Sequence, residues 1–250
     1  MNKYLKNLNR IEFVVTMACS GRCKHCSQGN HISNEHIDDV KAQQAIYDIC
    51  SHYNIDSLMT FGGEPLLYPE TVCKIHSAAR KMNIPQRELI TNGYFSKDIG
   101  RIKEVAHMLA QSGVNGICLS VDAFHQETIP LEYVKEFASA VVKEEISIHT
   151  HPAWLVSADD DNPYNLKTRE MLNEFSEMGI EQSSGNLIFP SGNALKYLGE
   201  YFDQDVEYDN PYRENPKDVK TISFSANGDV LCRNIYKDSI LEIMGSYSIT

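Results

Sequence analysis

The stretch MACSGRCKHCSQG, residues 17–29, places three cysteines in the spacing C-x3-C-x2-C, namely Cys19, Cys23 and Cys26. It follows directly on an apolar run at residues 11–15. A loop that presents three thiolates can bind three corners of a cube-shaped iron–sulfur cluster, and it leaves the fourth iron without a protein ligand. That iron is open to another molecule, so the spacing favours a cluster that binds a ligand.

Zinc and disulfides are the alternatives for these thiols. Zinc would need a fourth Cys, His or Asp ligand, and His25 lies inside the trio, where it can hardly reach the same tetrahedron. Three closely spaced cysteines cannot all pair, and nothing N-terminal resembles a secretion signal. The cysteine spacing therefore favours the cluster over both alternatives.

A second motif, Gly62-Gly63-Glu64-Pro65, follows a strand-like run at residues 57–61. Two glycines let the backbone pass close to a ligand, and a neighbouring carboxylate can accept a hydrogen bond from an ammonium group. Taken alone, the motif favours a tight turn. Its position, one strand and one helix after the cysteine loop, makes the ligand-binding interpretation the stronger one.

Together the two motifs resemble those of the radical S-adenosylmethionine (radical SAM) enzymes, and the resemblance extends over residues 1–195. It implies a [4Fe-4S] cluster on Cys19, Cys23 and Cys26. It also implies that the motif at residues 62–64 binds the methionine amine of S-adenosylmethionine. Both cofactors would then meet in one site.

Three later segments match the same family in the expected order. Thr91-Asn92-Gly93 ends a strand candidate at residues 88–91 and resembles the family's TNG turn, which implies that Asn92 contacts the cofactor. The segment SVDAFH at residues 120–125 is similar to the family's ribose-binding segment. Ser120 and Asp122 occupy alternate strand positions and therefore point to one face, where both could reach one sugar. The segment at residues 189–192, FPSG, resembles the one beside the adenine.

The remaining pattern alternates strands with helices, which indicates parallel βαβ units. Helices are predicted over residues 34–52, 69–82, 97–112, 131–144 and 166–178, and further strands over 116–121, 147–150 and 185–189. Six units predict an α/β fold: a partial (β/α)6 radical SAM barrel in residues 1–195, followed by a short C-terminal extension at 196–250. Ligand chemistry on such a sheet lies at the carboxyl ends of the strands, and every motif above falls there.

Composition agrees with an ordinary enzyme of one domain, since 250 residues can bury a sizeable core. A formal net charge of −11 without a basic patch argues against nucleic acid binding. No apolar run approaches the length of a membrane span, so we expect a cytoplasmic protein without membrane contact, whose thiols stay reduced.

A C-terminal hairpin is predicted from residues 221–225, an Asn227-Gly228 type I′ turn and residues 229–232. It resembles the start of the twitch and SPASM extensions, in which a cysteine here helps to hold an auxiliary cluster. Only Cys232 follows Cys118, and one thiolate cannot carry a whole cluster, so a complete extension is not expected. Cys232 is then either a packing thiol or a catalytic thiol that donates a hydrogen atom to a substrate radical.

Other side chains carry weaker signals. Cys50, Cys73 and Cys118 lie on apolar patterns and are predicted to be packing residues. His125 is a candidate catalytic residue, as a substrate contact or general base, or else a structural group. His149 and His151 alternate on one strand and would line the substrate cavity if that face is the barrel interior. The sequence also predicts a solvated acidic loop at residues 157–161 and a loop or lid at 197–212.

The resemblance also implies the chemistry. S-Adenosylmethionine would chelate the open iron, one electron from a donor such as flavodoxin or ferredoxin would cleave a carbon–sulfur bond, and the 5′-deoxyadenosyl radical would abstract a substrate hydrogen. Because Cys232 is available, we expect an epimerase-like reaction on a peptide, sugar or other small-molecule substrate. The alternatives are a glycyl-radical-enzyme activase, and a non-catalytic iron–sulfur or zinc module. Ser-Val-Asp at 120–122, in place of the Asp-Leu-Lys-like segment of many activases, counts against the activase.

Overall fold

A computed structural model of the chain describes residues 2–29, 33–203, 208 and 214–249. Its strands are β1 (Arg10–Val14), β2 (Ser57–Phe61), β3 (Gln86–Thr91), β4 (Gly116–Leu119), β5 (Ser147–Thr150), β6 (Ala153–Trp154), β7 (Glu181–Gln182), β8 (Asn186–Leu187), β9 (Thr221–Phe224), β10 (Asp229–Val230) and β11 (Arg233–Asn234). Its helices are α1 (Asp39–Cys50), α2 (Pro69–Lys81), α3 (Ile99–Ser112), α4 (Ala123–Gln126), α5 (Leu131–Lys143), α6 (Pro163–Glu177), α7 (Gly192–Tyr197) and α8 (Ile240–Ser246).

Seven strands form one sheet in the order β7-β5-β4-β3-β2-β1-β9, and every neighbouring pair runs parallel. The edge strands β7 and β9 are not paired with each other in the described part of the chain, so the barrel is open on one side. This arrangement confirms the predicted α/β fold with a partial barrel.

The side chains of β1 point alternately into the hydrophobic core and into the barrel interior. Ile11 and Phe13 are fully buried in the hydrophobic core, whereas Arg10 and Glu12 face the interior cavity. The Phe13 ring stacks on Phe224 of β9 at 4.7 Å between centroids, which fixes the seventh strand against the first.

The predicted helices are present, and two of them begin three or more residues away from the predicted start. The first helix was expected from residue 34 but begins at Asp39, because the amide of Ile37 donates to the carbonyl of Val15 and keeps this segment extended. The Asp38 side chain then caps α1. The helix α6 begins at Pro163, before the predicted residue 166, because Asn162 caps it and proline suits the first helical position. Within the described residues, no helix combines the length and the apolar character needed to cross a bilayer.

The sixth strand of the main sheet is not the one predicted. β7, at residues 181–182, pairs with β5, whereas β8, inside the predicted run 185–189, pairs with β6 in a separate two-stranded sheet. The reason is a turn at Gly185, whose φ is +70°, and where a Cβ atom would lie 2.2 Å from the carbonyl oxygen of Pro152. A strand cannot continue through that conformation.

The predicted C-terminal hairpin is also wrong in its pairing. Its first half, β9, joins the main sheet, and the antiparallel hairpin is formed by β10 and β11. Gly228 has a positive φ but Asn227 does not, so their turn is not type I′. The two-residue connection with positive φ at both positions is Leu231-Cys232. The division of the chain at residue 195 stays a prediction, and most of the predicted lid at 197–212 lies outside the described residues.

Candidate functional site

The predicted motifs converge at one end of the main sheet. The cysteine loop follows β1, the glycine pair follows β2, Asn92 follows β3 and Ser120 follows β4. All of these residues line one cavity of ≈ 1240 Å³. The carboxyl ends of parallel strands meet at one edge, which explains how motifs far apart in the sequence come together.

The three thiols are spread around their loop. Among the described side chains, the metal-ligating atoms that lie within 4.8 Å of one another belong to Cys23, His25 and His125, and this group does not include Cys19 or Cys26. A tetrahedral ion needs all its ligand atoms that close together, whereas a cubane binds each thiolate at a separate iron. The three thiols of Cys19, Cys23 and Cys26 therefore fit a [4Fe-4S] cluster better than a zinc ion. The approach of His25 and His125 to Cys23 was not anticipated from the sequence.

Two of the three thiols, Cys19 and Cys23, have raised pKa values. Burial, together with the nearby Glu64 carboxylate, raises the pKa of Cys19 to about 11. Burial, and then the charge of Asp122, raises the pKa of Cys23 well above its usual range. Ligation requires thiolates, so cluster binding must release these protons.

The cysteine loop is held in place by the start of α7. The backbone amide of Asn193 donates to the carbonyl of Cys26 at 2.9 Å, and its side-chain amide donates to the carbonyl of Cys23 at 3.1 Å. Gly192 packs so closely that a Cβ atom would lie 2.4 Å from the carbonyl oxygen of Ser27. Sequence reasoning placed this segment beside the adenine but missed Asn193, because its partners lie far away in the chain.

The glycine pair packs against the backbone that precedes Cys19. A Cβ atom on Gly62 would lie 2.4 Å from the carbonyl oxygen of Thr16, and one on Gly63 would lie 2.2 Å from that of Ala18. The amide of Gly63 donates to Thr16 at 2.8 Å. Glycine at both positions therefore lets this loop pack against the cysteine loop, in addition to allowing a ligand to approach the backbone closely.

Glu64 is fully buried and already has protein partners. Its carboxylate accepts hydrogen bonds from the Leu66 amide at 2.9 Å, the Thr91 hydroxyl at 2.6 Å and the Asn92 amide at 2.8 Å. Burial raises the pKa of Glu64 to about 7, against the lowering effect of these hydrogen bonds. The Asn92 side chain in turn donates to Cys19 Sγ at 3.7 Å. Glu64 thus links the second and third motifs, and its contact with the methionine amine stays a prediction.

Ser120 and Asp122 both line the cavity, although β4 ends before them. The Asp122 carboxylate is fully buried and caps α4. It accepts from the amides of Phe124, His125 and Ala153 at 2.9 to 3.1 Å and lies 2.8 Å from His125 Nδ1. Burial alone would raise the pKa of Asp122, but His125 and these amides hold it well below its usual range. The ribose role of both residues stays a prediction, and the partners of Asp122 were missed because they depend on tertiary contacts.

Of the six other side chains considered in the sequence, His151 and Cys118 are in the described lining of the cavity. His151 lines it, with Nδ1 2.8 Å from the Ser183 hydroxyl, and its ring lies 6.4 Å from that of His149. Cys118, predicted as a packing residue, is buried but also lines the cavity. Cys232 lies on the exposed turn between β10 and β11, away from the described cavity lining. Cys50 and Cys73 pack against the core, as predicted.

The cavity carries more negative than positive side chains. Among the described lining residues, the arginines are Arg10 and Arg22, and Arg10 is already paired with Glu12 at 2.7 Å. Carboxylates are more numerous in the described lining: Glu12, Glu35, Asp122, Glu214 and Asp229. The site is therefore better suited to a neutral or positively charged ligand group than to a polyanion.

Two groups of solved structures share this fold. A structure titled native anSMEcpe with bound AdoMet has a TM-score of 0.62 at 15% identity and covers 94% of this chain and 80% of that one. Streptococcus suis SuiB bound to the precursor peptide SuiA has a TM-score of 0.62 at 12% identity and covers 97% of this chain and 65% of that one. At such identities the likeness shows the fold alone.

Curated relatives named GTP 3′,8-cyclase have a higher sequence identity over a smaller share of this chain. The one from Desulforamulus reducens is 24% identical over 131 residues, which is 51% of this chain and 38% of that protein. A probable GTP 3′,8-cyclase from Saccharolobus islandicus is 21% identical over 220 residues, which is 82% of this chain and 68% of that protein. The chain thus spans well under half the length of the first of these relatives.

The model of the radical SAM superfamily matches residues 13–155, from β1 through β6. This is more than half of the 250 residues, and it contains the cysteine loop, the glycine pair, Asn92, Ser120 and Asp122. The chain therefore belongs to the radical SAM superfamily, whose cofactors are a [4Fe-4S] cluster and S-adenosylmethionine.

Proposed function

We propose that this protein abstracts a hydrogen atom from an organic substrate held in the cavity at the carboxyl ends of its strands. The single observation that carries the proposal is the convergence of the cysteine loop and the three later motifs on one cavity wall. When bound there, the cluster and S-adenosylmethionine would supply the 5′-deoxyadenosyl radical, with an electron from flavodoxin or ferredoxin.

The residues of the chain have distinct parts in this proposal. Cys19, Cys23 and Cys26 bind the cluster, and the glycine pair fixes their loop. The Ser120 hydroxyl, at the cavity wall, binds the ribose. The cavity walls hold the substrate and exclude water from it, which protects a reactive species from side reactions.

A peptide is the substrate class that the cavity supports best. Solved structures of the same fold hold a peptide substrate in SuiB and peptides in anSMEcpe. The GTP of the curated relatives' name carries several negative charges and would meet mostly carboxylates in this cavity. A peptide with neutral or basic side chains avoids that repulsion.

The finer reaction that we propose is epimerisation, in which a thiol returns a hydrogen atom to the substrate carbon. This step forms a C–H bond, breaks an S–H bond and leaves a thiyl radical that the electron donor must reduce and solvent reprotonate. Cys118 lines the cavity, whereas Cys232 lies on an exposed turn, so the geometry favours Cys118 as the donor.

The first test is cofactor cleavage. Anaerobically reconstituted protein with dithionite and S-adenosylmethionine should form 5′-deoxyadenosine, measured by chromatography. The triple Cys19, Cys23 and Cys26 to Ala variant should form none. Cleavage by the triple variant, or its absence in iron-loaded wild type, would refute the proposal.

A further inference from the structure

We propose that the buried Asp122 and the partly buried His125 together set the reduction potential of the cluster by acting on its ligand Cys23. This gives His125 a positioning role in place of the substrate contact or general base expected from the sequence. The inference rests on the cluster site proposed above and goes beyond it.

The pair lies directly beside one cluster ligand. A ring nitrogen of His125, a ring nitrogen of His25 and the sulfur of Cys23 are all within 4.8 Å of one another. Cys23 is only 7% exposed, so little water separates these groups. Charges and dipoles act strongly over such a distance when water is excluded.

Asp122 fixes the orientation of the His125 ring. Its carboxylate is fully buried, lies 2.8 Å from His125 Nδ1, and accepts from the His125 backbone amide at 2.9 Å. Two further amides, of Phe124 and Ala153, donate hydrogen bonds to the same carboxylate. The imidazole therefore cannot turn away from Cys23 without breaking this network.

The side chain of His25 gives a second observation that points to a ligand beside Cys23. Its Nδ1 atom is buried and has no hydrogen-bond partner among the residues that the structure describes. Its ring packs between His125, at 4.7 Å, and Phe124, at 5.1 Å. A buried polar atom without a partner is rare in native structures, and the sulfur atoms of a cluster at Cys23 would supply an acceptor.

Asp122 and His125 should shift the reduction potential of the cluster in opposite directions. A negative charge near an iron–sulfur cluster disfavours reduction, and a positive charge or a hydrogen-bond donor favours it. The negative charge of Asp122 is fully buried and contacts the His125 ring, which lies beside Cys23. His125 offsets that charge, so removal of either partner exposes the effect of the other.

The test is a potentiometric titration of the reconstituted cluster in the absence of S-adenosylmethionine. Electron paramagnetic resonance monitors the reduced cluster at each potential. Asp122→Asn, which keeps a capping side chain, should shift the midpoint potential upward, and His125→Phe should shift it downward. His107→Phe, an exposed histidine paired with Glu144 on the outer helices, is the matched control and should leave the potential unchanged.

Opposite shifts would support the proposal, because loss of structure alone cannot give them. Shifts in the same direction, or none, would overturn it. If His125→Phe loses iron, His125→Gln takes its place, and loss of iron in both would assign the pair a folding role instead. A wild-type protein that binds no iron would refute the cluster site itself, which separates the two failures.

Discussion

Gly63 lies so close to Ala18 that a Cβ atom on the glycine would sit 2.2 Å from the alanine carbonyl oxygen. That carbonyl belongs to the residue immediately before Cys19, and it accepts a hydrogen bond from the Glu64 amide at 2.8 Å. The position of Cys19, after β1, therefore depends on the lack of a side chain at Gly63, after the neighbouring strand β2.

Gly63→Ala should push the two loops apart and cost about 1–3 kcal/mol of stability, as overpacking does. We expect a lower melting temperature and a reduced iron content after reconstitution. Gly245→Ala is the control, since nothing lies within 4 Å of a Cβ atom there. Equal iron content in both variants would show that the contact does not support the cluster.

The cluster stoichiometry is a second prediction. If Cys19, Cys23 and Cys26 are the protein ligands, reconstituted protein should hold about four iron atoms per chain, and Cys232→Ser should hold the same number. Iron and sulfide assays measure this directly. About eight iron atoms, falling to four in Cys232→Ser, would reveal an auxiliary cluster and contradict the single-cluster proposal.

The buried Glu64 predicts a pH dependence of stability in the metal-free protein. Burial raises its pKa from 4.5 to about 7, so between these values the folded state binds more protons than the unfolded state. Stability should therefore fall by up to about 3 kcal/mol as the pH rises from 4.5 to 7. Denaturant titrations of wild type and Glu64→Gln measure this, and the fall should be absent from the variant. Parallel pH profiles would show that Glu64 does not titrate in this range.

Ser120 offers a direct test of the ribose assignment. Ser120→Ala removes one hydroxyl from the cavity wall and should weaken S-adenosylmethionine binding up to about tenfold, the value of one hydrogen bond. Calorimetry on the cluster-loaded protein measures the affinity. Ser77→Ala, on the exposed face of α2, is the control. An unchanged affinity in Ser120→Ala would remove this residue from the cofactor site.

The thiol that returns hydrogen can be identified in deuterium oxide. With a panel of synthetic peptides, an epimerised product should carry one deuterium at the altered carbon, because the donor S–H exchanges with solvent. Cys118→Ser should still form 5′-deoxyadenosine but release no inverted product, whereas Cys232→Ser should behave as wild type. The reverse result would make Cys232 the donor, and product without deuterium would exclude both thiols.

Much of this architecture could be predicted from local sequence patterns. Alternation of strands and helices, and the position of each motif at a strand end, follow from short-range periodicity. The edges of the sheet could not be predicted in this way. β7 is two residues long, and β9 reads as half of a hairpin until the stacking of Phe224 on Phe13 places it beside β1.

The candidate site, too, has parts that local sequence patterns predict and parts that they do not. The sequence indicated the three thiols and the cavity-facing Ser120, because each belongs to a contiguous motif. It did not indicate that Asp122 would hold His125 beside Cys23, or that Asn193 would bind the cysteine loop. Such contacts are set by packing between distant segments, which no spacing within one segment encodes.

The hydrogen bonds from Asn193 to the cysteine loop have a consequence for biosynthesis. The side chain of Asn193 reaches the Cys23 carbonyl across 170 positions of the chain. At about 5–20 residues per second, the ribosome releases the cysteine loop roughly 10 to 30 s before the segment that secures it. During that interval the three thiols belong to an incomplete barrel. The cysteine loop can therefore reach the conformation described here only after residue 193 has been synthesised.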